Sequence, residues 1–133
     1  MITIVTRWET SQMPPELEHR MWRQIKGAFT VEPADWRLIF VPKMPGTSAE
    51  QYDTMEEALE AAGDGERVFL EHRSSKPISE IPKGNIVLVL GNTEYSNEEY
   101  AKDGETYRID TPGSTDMYGI NAAVIALAFR FIE

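Results

Sequence analysis

The first apolar stretch, Met1 to Thr6, is β-branched throughout (Ile2-Thr-Ile-Val-Thr) and predicts a strand. Pro14-Pro15 then opens a helix over Glu16 to Phe29, with Leu17, Met21, Ile25 and Ala28 at helical spacing. Glu16 and Glu18 suit the positive end of that helix's dipole. Arg37 to Val41 reads as a second strand, stopped by Pro42. Asp53, with Glu56 as its reciprocal partner, can cap a short helix over Thr54 to Ala62 that Gly63 ends. Arg67 to Glu71 is a third strand. Asn85 to Leu90, apolar on both faces, is a central fourth.

Beyond it, Ser96 to Glu99 can start one helical turn before Gly104. Thr106 to Asp110 forms a fifth strand, and Asp116 to Phe131 a terminal helix of almost unbroken apolar character. Strands alternating with helices predict a single α/β domain, with a mostly parallel five-stranded sheet and helices on both faces. The long polar connection from His72 to Lys83 leaves a strand end, where functional loops sit.

Composition narrows the chemistry. The chain of 133 residues contains no cysteine, which excludes thiolate catalysis, disulfides and Cys-based zinc sites. His19 and His72 are the only histidines and lack carboxylates at metal spacing, so no metal site is expected. Thirteen basic against twenty-two acidic residues give a net charge of −9, which argues against a broad nucleic-acid-binding face. A local basic patch is still compatible: Arg20, Arg23 and Lys26 share one helix face, although a solvated face is the better account of the trio. The start lacks the layout of a signal peptide, and the apolar run from Ala122 to Phe129 is too short to span a bilayer. A cytoplasmic protein without a membrane segment is the expectation. Trp8, Trp22 and Trp36 read as core or subunit-contact residues rather than base-stacking platforms.

The candidate chemistry lies in the last third. Pro112-Gly113 after a strand forces a turn, and a glycine there lets backbone approach a ligand. Ser114, Thr115 and Asp116 can cap the following helix and leave its first amides pointing into the same crevice. Asn121 lies about one turn inside an apolar helix. A buried Asn without partners costs about 1–3 kcal/mol, so it either ties the helix to a loop or faces a ligand.

Three elements in this stretch resemble the SPOUT class of methyltransferases: Leu90-Gly91-Asn92-Thr93, Asp110-Thr111-Pro112-Gly113 and Gly119-Ile120-Asn121-Ala122-Ala123. In that family they correspond to a Gly-Asn-Glu-Gly type turn, an Ile-Pro-Met loop and a helix beginning Ser-Leu-Asn-Val-Ser. Their spacing is also typical of the family. Upstream the similarity is looser but keeps its order, through Leu17 to Phe29, Trp36 to Lys43, Asp53 to Leu59 and Val68 to His72.

The resemblance implies a C-terminal trefoil knot, a homodimer with active sites between subunits, and methyl transfer from S-adenosylmethionine to RNA (tRNA or rRNA). It also implies a cofactor held by backbone groups of three loops. By position these are His72 and Arg73, then Leu90, Gly91 and Asn92, then Ile109, Thr111, Pro112 and Gly113 with Tyr118 and Ile120. Transferred residue by residue, the family's catalytic Asn is Asn121 and its first-helix Arg falls near Arg23, or Arg20. Its acidic residue is Glu94, one place later than in the family, because Thr93 occupies the matching position. The surrounding Asn-Gly-Arg-Thr pattern and the extra RNA-binding domain have no counterpart here. Two other readings stay open: a non-catalytic knotted dimer that binds the cofactor or a partner, and a flavodoxin-like small-molecule binder.

Overall fold

The computed structural model describes residues 1–29, 36–71, 74–92, 94–111 and 117–131. The elements run β1 (Ile2–Arg7), α1 (Pro15–Phe29), β2 (Trp36–Val41), α2 (Met55–Ala62), β3 (Glu66–Leu70), β4 (Ile86–Leu90), β5 (Thr106–Tyr107) and α3 (Gly119–Phe131). All five strands are parallel, in the order β2-β1-β4-β3-β5. β4 is wholly buried between β1 and β3, as its two-sided apolar sequence requires.

The two-residue period of the strands divides the core. Ile4 and Leu88 pair across the sheet and face α1 and α3, together with Trp22, Ala123 and Leu127. Val5 and Val89 pair one position on and face α2, against Met55, Ala58 and Leu59. Helices therefore cover both faces. All three tryptophans belong to the first core cluster, and Trp8 stacks on Phe40 with ring centroids 4.0 Å apart. No helix among the described residues is long and apolar enough to cross a membrane.

Five segments depart from the sequence pattern. On α1, Leu17 and Ala28 are exposed while Glu18 and Trp22 are buried. The amide of Glu9 donates to Glu18 at 2.7 Å and the Trp22 indole donates to it at 3.0 Å, so a carboxylate with two donors takes an inner position. The cap of α2 is Thr54, not Asp53: its hydroxyl accepts from the Glu57 amide at 3.2 Å and donates to the Glu57 carboxylate at 3.0 Å. Glu57, not Glu56, is therefore the reciprocal partner. β5 stops at Tyr107 because β3, its only neighbouring strand among the described residues, ends at Leu70; the Arg108 amide instead donates to the Lys76 carbonyl. The loop after β3 is less polar in structure than in composition, since Ile78 and Ile81 enter the core cluster that α3 completes. Met117 and Tyr118 are not helical, and α3 begins at Gly119. Asp116, the expected start, lies outside the described residues.

Candidate active site

Parallel strands leave their carboxyl ends on one edge of the sheet, and a crevice opens where neighbouring connections diverge. Here β1 is followed by β2 on one side while β4 closes on its other side. The chain leaving β4 is folded into a tight turn by Asn92. Its Oδ1 accepts from the amides of Glu94 (2.9 Å) and Tyr95 (2.7 Å), and its amide donates to the Tyr95 carbonyl at 3.0 Å. Asn92 Nδ2 donates to the Trp8 carbonyl at 2.8 Å, which fastens the turn to the end of β1.

Gly91 and Gly119 allow two backbones to meet. A β-carbon on Gly91 would lie 2.3 Å from the Tyr95 carbonyl oxygen, and one on Gly119 would lie 3.1 Å from the Gly91 carbonyl oxygen. No other residue type fits Gly91 without moving the turn. The first turn of α3 thereby rests on the end of β4, and the Tyr118 hydroxyl reaches Gln12 at 3.2 Å.

These segments enclose a cleft of about 270 Å³, near the lower end of small-molecule sites. Leu70, Leu90, Ile109, Met117 and Ala122 form its apolar wall; Glu71, Asn92, Glu94, Tyr95 and Ser96 form its polar rim. Glu71 is held by the Ser96 hydroxyl at 2.9 Å and the Asn97 amide at 3.2 Å. Among the described residues no group of three or more His, Asp or Glu side chains could hold a metal ion.

Of the residues the sequence nominates, Leu90, Gly91, Asn92, Ile109 and Glu94 meet in this cleft. His72, Pro112 and Gly113 lie outside the described residues, as do Arg73 and Thr93. Ile120 is buried in the core against the sheet rather than lining the cleft, and Thr111 borders a neighbouring hollow with Pro77, Arg108 and Phe129. Tyr118 is at the surface, tied to Gln12. Asn121 is exposed on the outer side of α3, contrary to the expectation of a buried amide. The core takes the Ile120, Ala123, Leu127 side of the helix and turns Asn121 away. Arg23 is also exposed, 3.9 Å from Glu16, and is not part of the cleft wall.

Sequence reasoning missed Leu70, Glu71, Tyr95, Ser96 and Met117. Glu71 was within reach, since the strand-end rule that picks out Gly91 applies equally to the end of β3.

No protein-family model matches the chain. No curated protein matches it either. Solved structures do share its fold. A "putative RNA methyltransferase" from Bacillus anthracis superposes with a TM-score of 0.70 at 15% identity, over 98% of this chain and 92% of that one. A protein whose structure concerns the 2-OH methylation of C/U34 on tRNA gives 0.63 at 16% identity, over 98% and 94%. A "probable methylase family protein" from Haemophilus influenzae Rd KW20 gives 0.65 at 16%, over 97% of this chain and 64% of that one.

Proposed function

We propose that this protein is a SPOUT-type methyltransferase that uses S-adenosylmethionine and acts on RNA as a knotted homodimer. The observation that carries this reading is the convergence of three segments on one cleft. Glu71 at the end of β3 is bound by Ser96 and Asn97, Gly119 meets the Gly91 carbonyl, and Ile109, Met117 and Ala122 line the same cleft. The motif spacing of the sequence nominates two of those segments, and the fold shared with methyltransferase structures along nearly the whole chain supports the same assignment.

The cleft suits the cofactor. Its apolar wall from Leu70, Leu90, Ile109 and Ala122 can receive an adenine. When bound, the cofactor supplies an electrophilic methyl group. The chain's part is to hold the acceptor in line and, where the acceptor is a hydroxyl, to take its proton. Glu94, exposed on the cleft rim, is the carboxylate placed for that role. Asn121 and Arg23 can take part only across a subunit boundary.

The homodimer explains the outward orientation of Asn121. Asn121, Val124 and Phe131 are exposed along one stripe of α3, with Val124 39% and Phe131 51% accessible. Large apolar side chains on a helix face require a covering surface, and a second copy would bring Asn121 to the boundary between subunits. The second reading, a non-catalytic module of the same fold, rests on the net charge of −9 and on Arg23 being engaged by Glu16.

Isothermal titration with S-adenosylmethionine and S-adenosylhomocysteine tests the proposal. Micromolar binding at one site per subunit is expected. Neither heat nor thermal stabilisation with either ligand would sink the cofactor assignment and the methyltransferase reading with it.

A further inference from the structure

The side chain of Arg7, at the carboxyl end of β1, is fixed in place yet leaves four of its five N–H donors unused by any described residue. Its Nε donates to Asn97 Oδ1 at 2.7 Å, and Asn97 is completely buried. The Asn97 amide is in turn bound to Glu71 on the cleft rim. One face of the guanidinium lies 5.7 Å from the centre of the Tyr95 ring. Its two terminal nitrogens have no hydrogen bond or ion pair with any described residue. Arg23, Arg37 and Arg108, by contrast, each take a carboxylate. Asn97 Nδ2, also fully buried, is likewise without a partner among the described residues.

A guanidinium anchored through Nε and set over an aromatic ring presents its terminal donors from a fixed position, the geometry that receives a phosphate in two parallel hydrogen bonds. Tyr95 is 60% exposed and forms part of the cleft rim. A cation with spare donors beside an accessible aromatic ring is the combination with which proteins hold single-stranded nucleic acid, backbone on the charge and base on the ring. We propose that Arg7 and Tyr95 form the nucleotide subsite of this protein, with a phosphodiester on the Arg7 fork and a base against Tyr95. The assignment rests on the methyltransferase reading and names where its acceptor strand is held. It also reconciles a nucleic-acid substrate with a net charge of −9, because one fixed fork replaces a broad basic face.

The test is fluorescence anisotropy with a labelled oligouridylate over a salt series, alongside calorimetry with S-adenosylmethionine on the same variants. For Arg7→Gln, affinity for the oligonucleotide should fall roughly tenfold and the salt slope should drop by about one, while cofactor affinity is unchanged. Arg7→Lys should keep the slope and recover only part of the affinity, since a point charge does not reproduce the fork. Tyr95→Ala, at an exposed position that cannot unfold the core, should also weaken binding by roughly tenfold or more. The proposal is overturned if wild-type protein does not bind the oligonucleotide, or if Arg7→Gln and Tyr95→Ala bind it as tightly as wild type. It is also overturned if Arg7→Gln loses the cofactor alone, which would assign the fork to the cofactor's carboxylate. Wild-type protein that binds the oligonucleotide but not S-adenosylmethionine would instead remove the methyltransferase reading and leave the subsite standing.

Discussion

The carbonyl oxygen of Tyr95 occupies the space that a side chain on Gly91 would need, 2.3 Å from the ideal β-carbon position. The turn after β4 therefore closes only around glycine. Gly91→Val should open the Asn92–Tyr95 turn and displace the rim of the cleft while the strands below it, buried on both sides, stay paired. The cost in stability should be about 1–3 kcal/mol, the range for forcing extra atoms into a packed site. Affinity for S-adenosylmethionine should fall by roughly a hundredfold or more, equivalent to about 3 kcal/mol. Circular dichroism and calorimetry on one sample check both. A folded variant that binds as tightly as wild type would refute the placement of the cofactor.

Glu18 is the most deeply buried carboxylate on α1, and burial pushes its pKa above the usual value of 4.5 despite the donors from Glu9 and Trp22. A raised folded value means that the folded state binds the proton more tightly. Glu18 thus contributes stability that is full below the ordinary carboxylate value and is lost as pH rises through the folded one. Glu18→Gln should destabilise, because the Glu9 amide and the Trp22 indole reach different oxygens and the glutamine NH2 would face one of these donors, and a stranded donor costs about 1–3 kcal/mol. That deficit should be largest in acid and shrink towards neutral pH. Urea midpoints measured across the carboxylate range decide the sign, and a deficit that grows with pH would show the opposite shift.

At α2, the hydroxyl of Thr54 accepts from the Glu57 amide and donates to the Glu57 carboxylate, and Asp53 stands outside the cap. Thr54→Ala should cost about 1 kcal/mol. Asp53→Ala should stay within about 0.5 kcal/mol, as for a surface change away from such features. Thermal melts of the two variants discriminate directly, and equal losses would restore Asp53 as the capping residue.

What could be read from the chain alone follows the range of the forces involved. β4 was legible because a strand buried on both faces must be apolar on both. Gly91 and Asn92 were legible because a polar turn closes that strand. Glu18 misled, because local pattern marks it as solvent-facing, and only the Glu9 amide, brought by a loop, makes its burial tolerable. α3 is apolar nearly all round, so its sequence does not announce which stripe meets the sheet, and the exposure of Asn121 could not be foreseen. Arg7 and Asn97 stand ninety positions apart and meet only through the pairing of β1 with β4. No window of sequence contains that contact.

The exposed stripe of α3 gives the last prediction. Val124 and Phe131 project from a helix whose opposite side is packed against the sheet, and Phe131 stacks on Phe29 of α1 with centroids 5.8 Å apart. If a second copy covers this surface, Val124→Glu places a charge in a desolvated interface, where an unpaired ion costs several kcal/mol. In the monomer the same side chain is already 39% exposed, so the fold should tolerate it. Sedimentation equilibrium should therefore show wild-type protein as a dimer and Val124→Glu as a folded monomer. Methyl transfer should fall with dimerisation, because Asn121 lies on the same stripe and reaches an active site only across the subunit boundary. A wild-type monomer, or a Val124→Glu dimer of undiminished affinity, would remove α3 from any subunit contact and with it a catalytic part for Asn121.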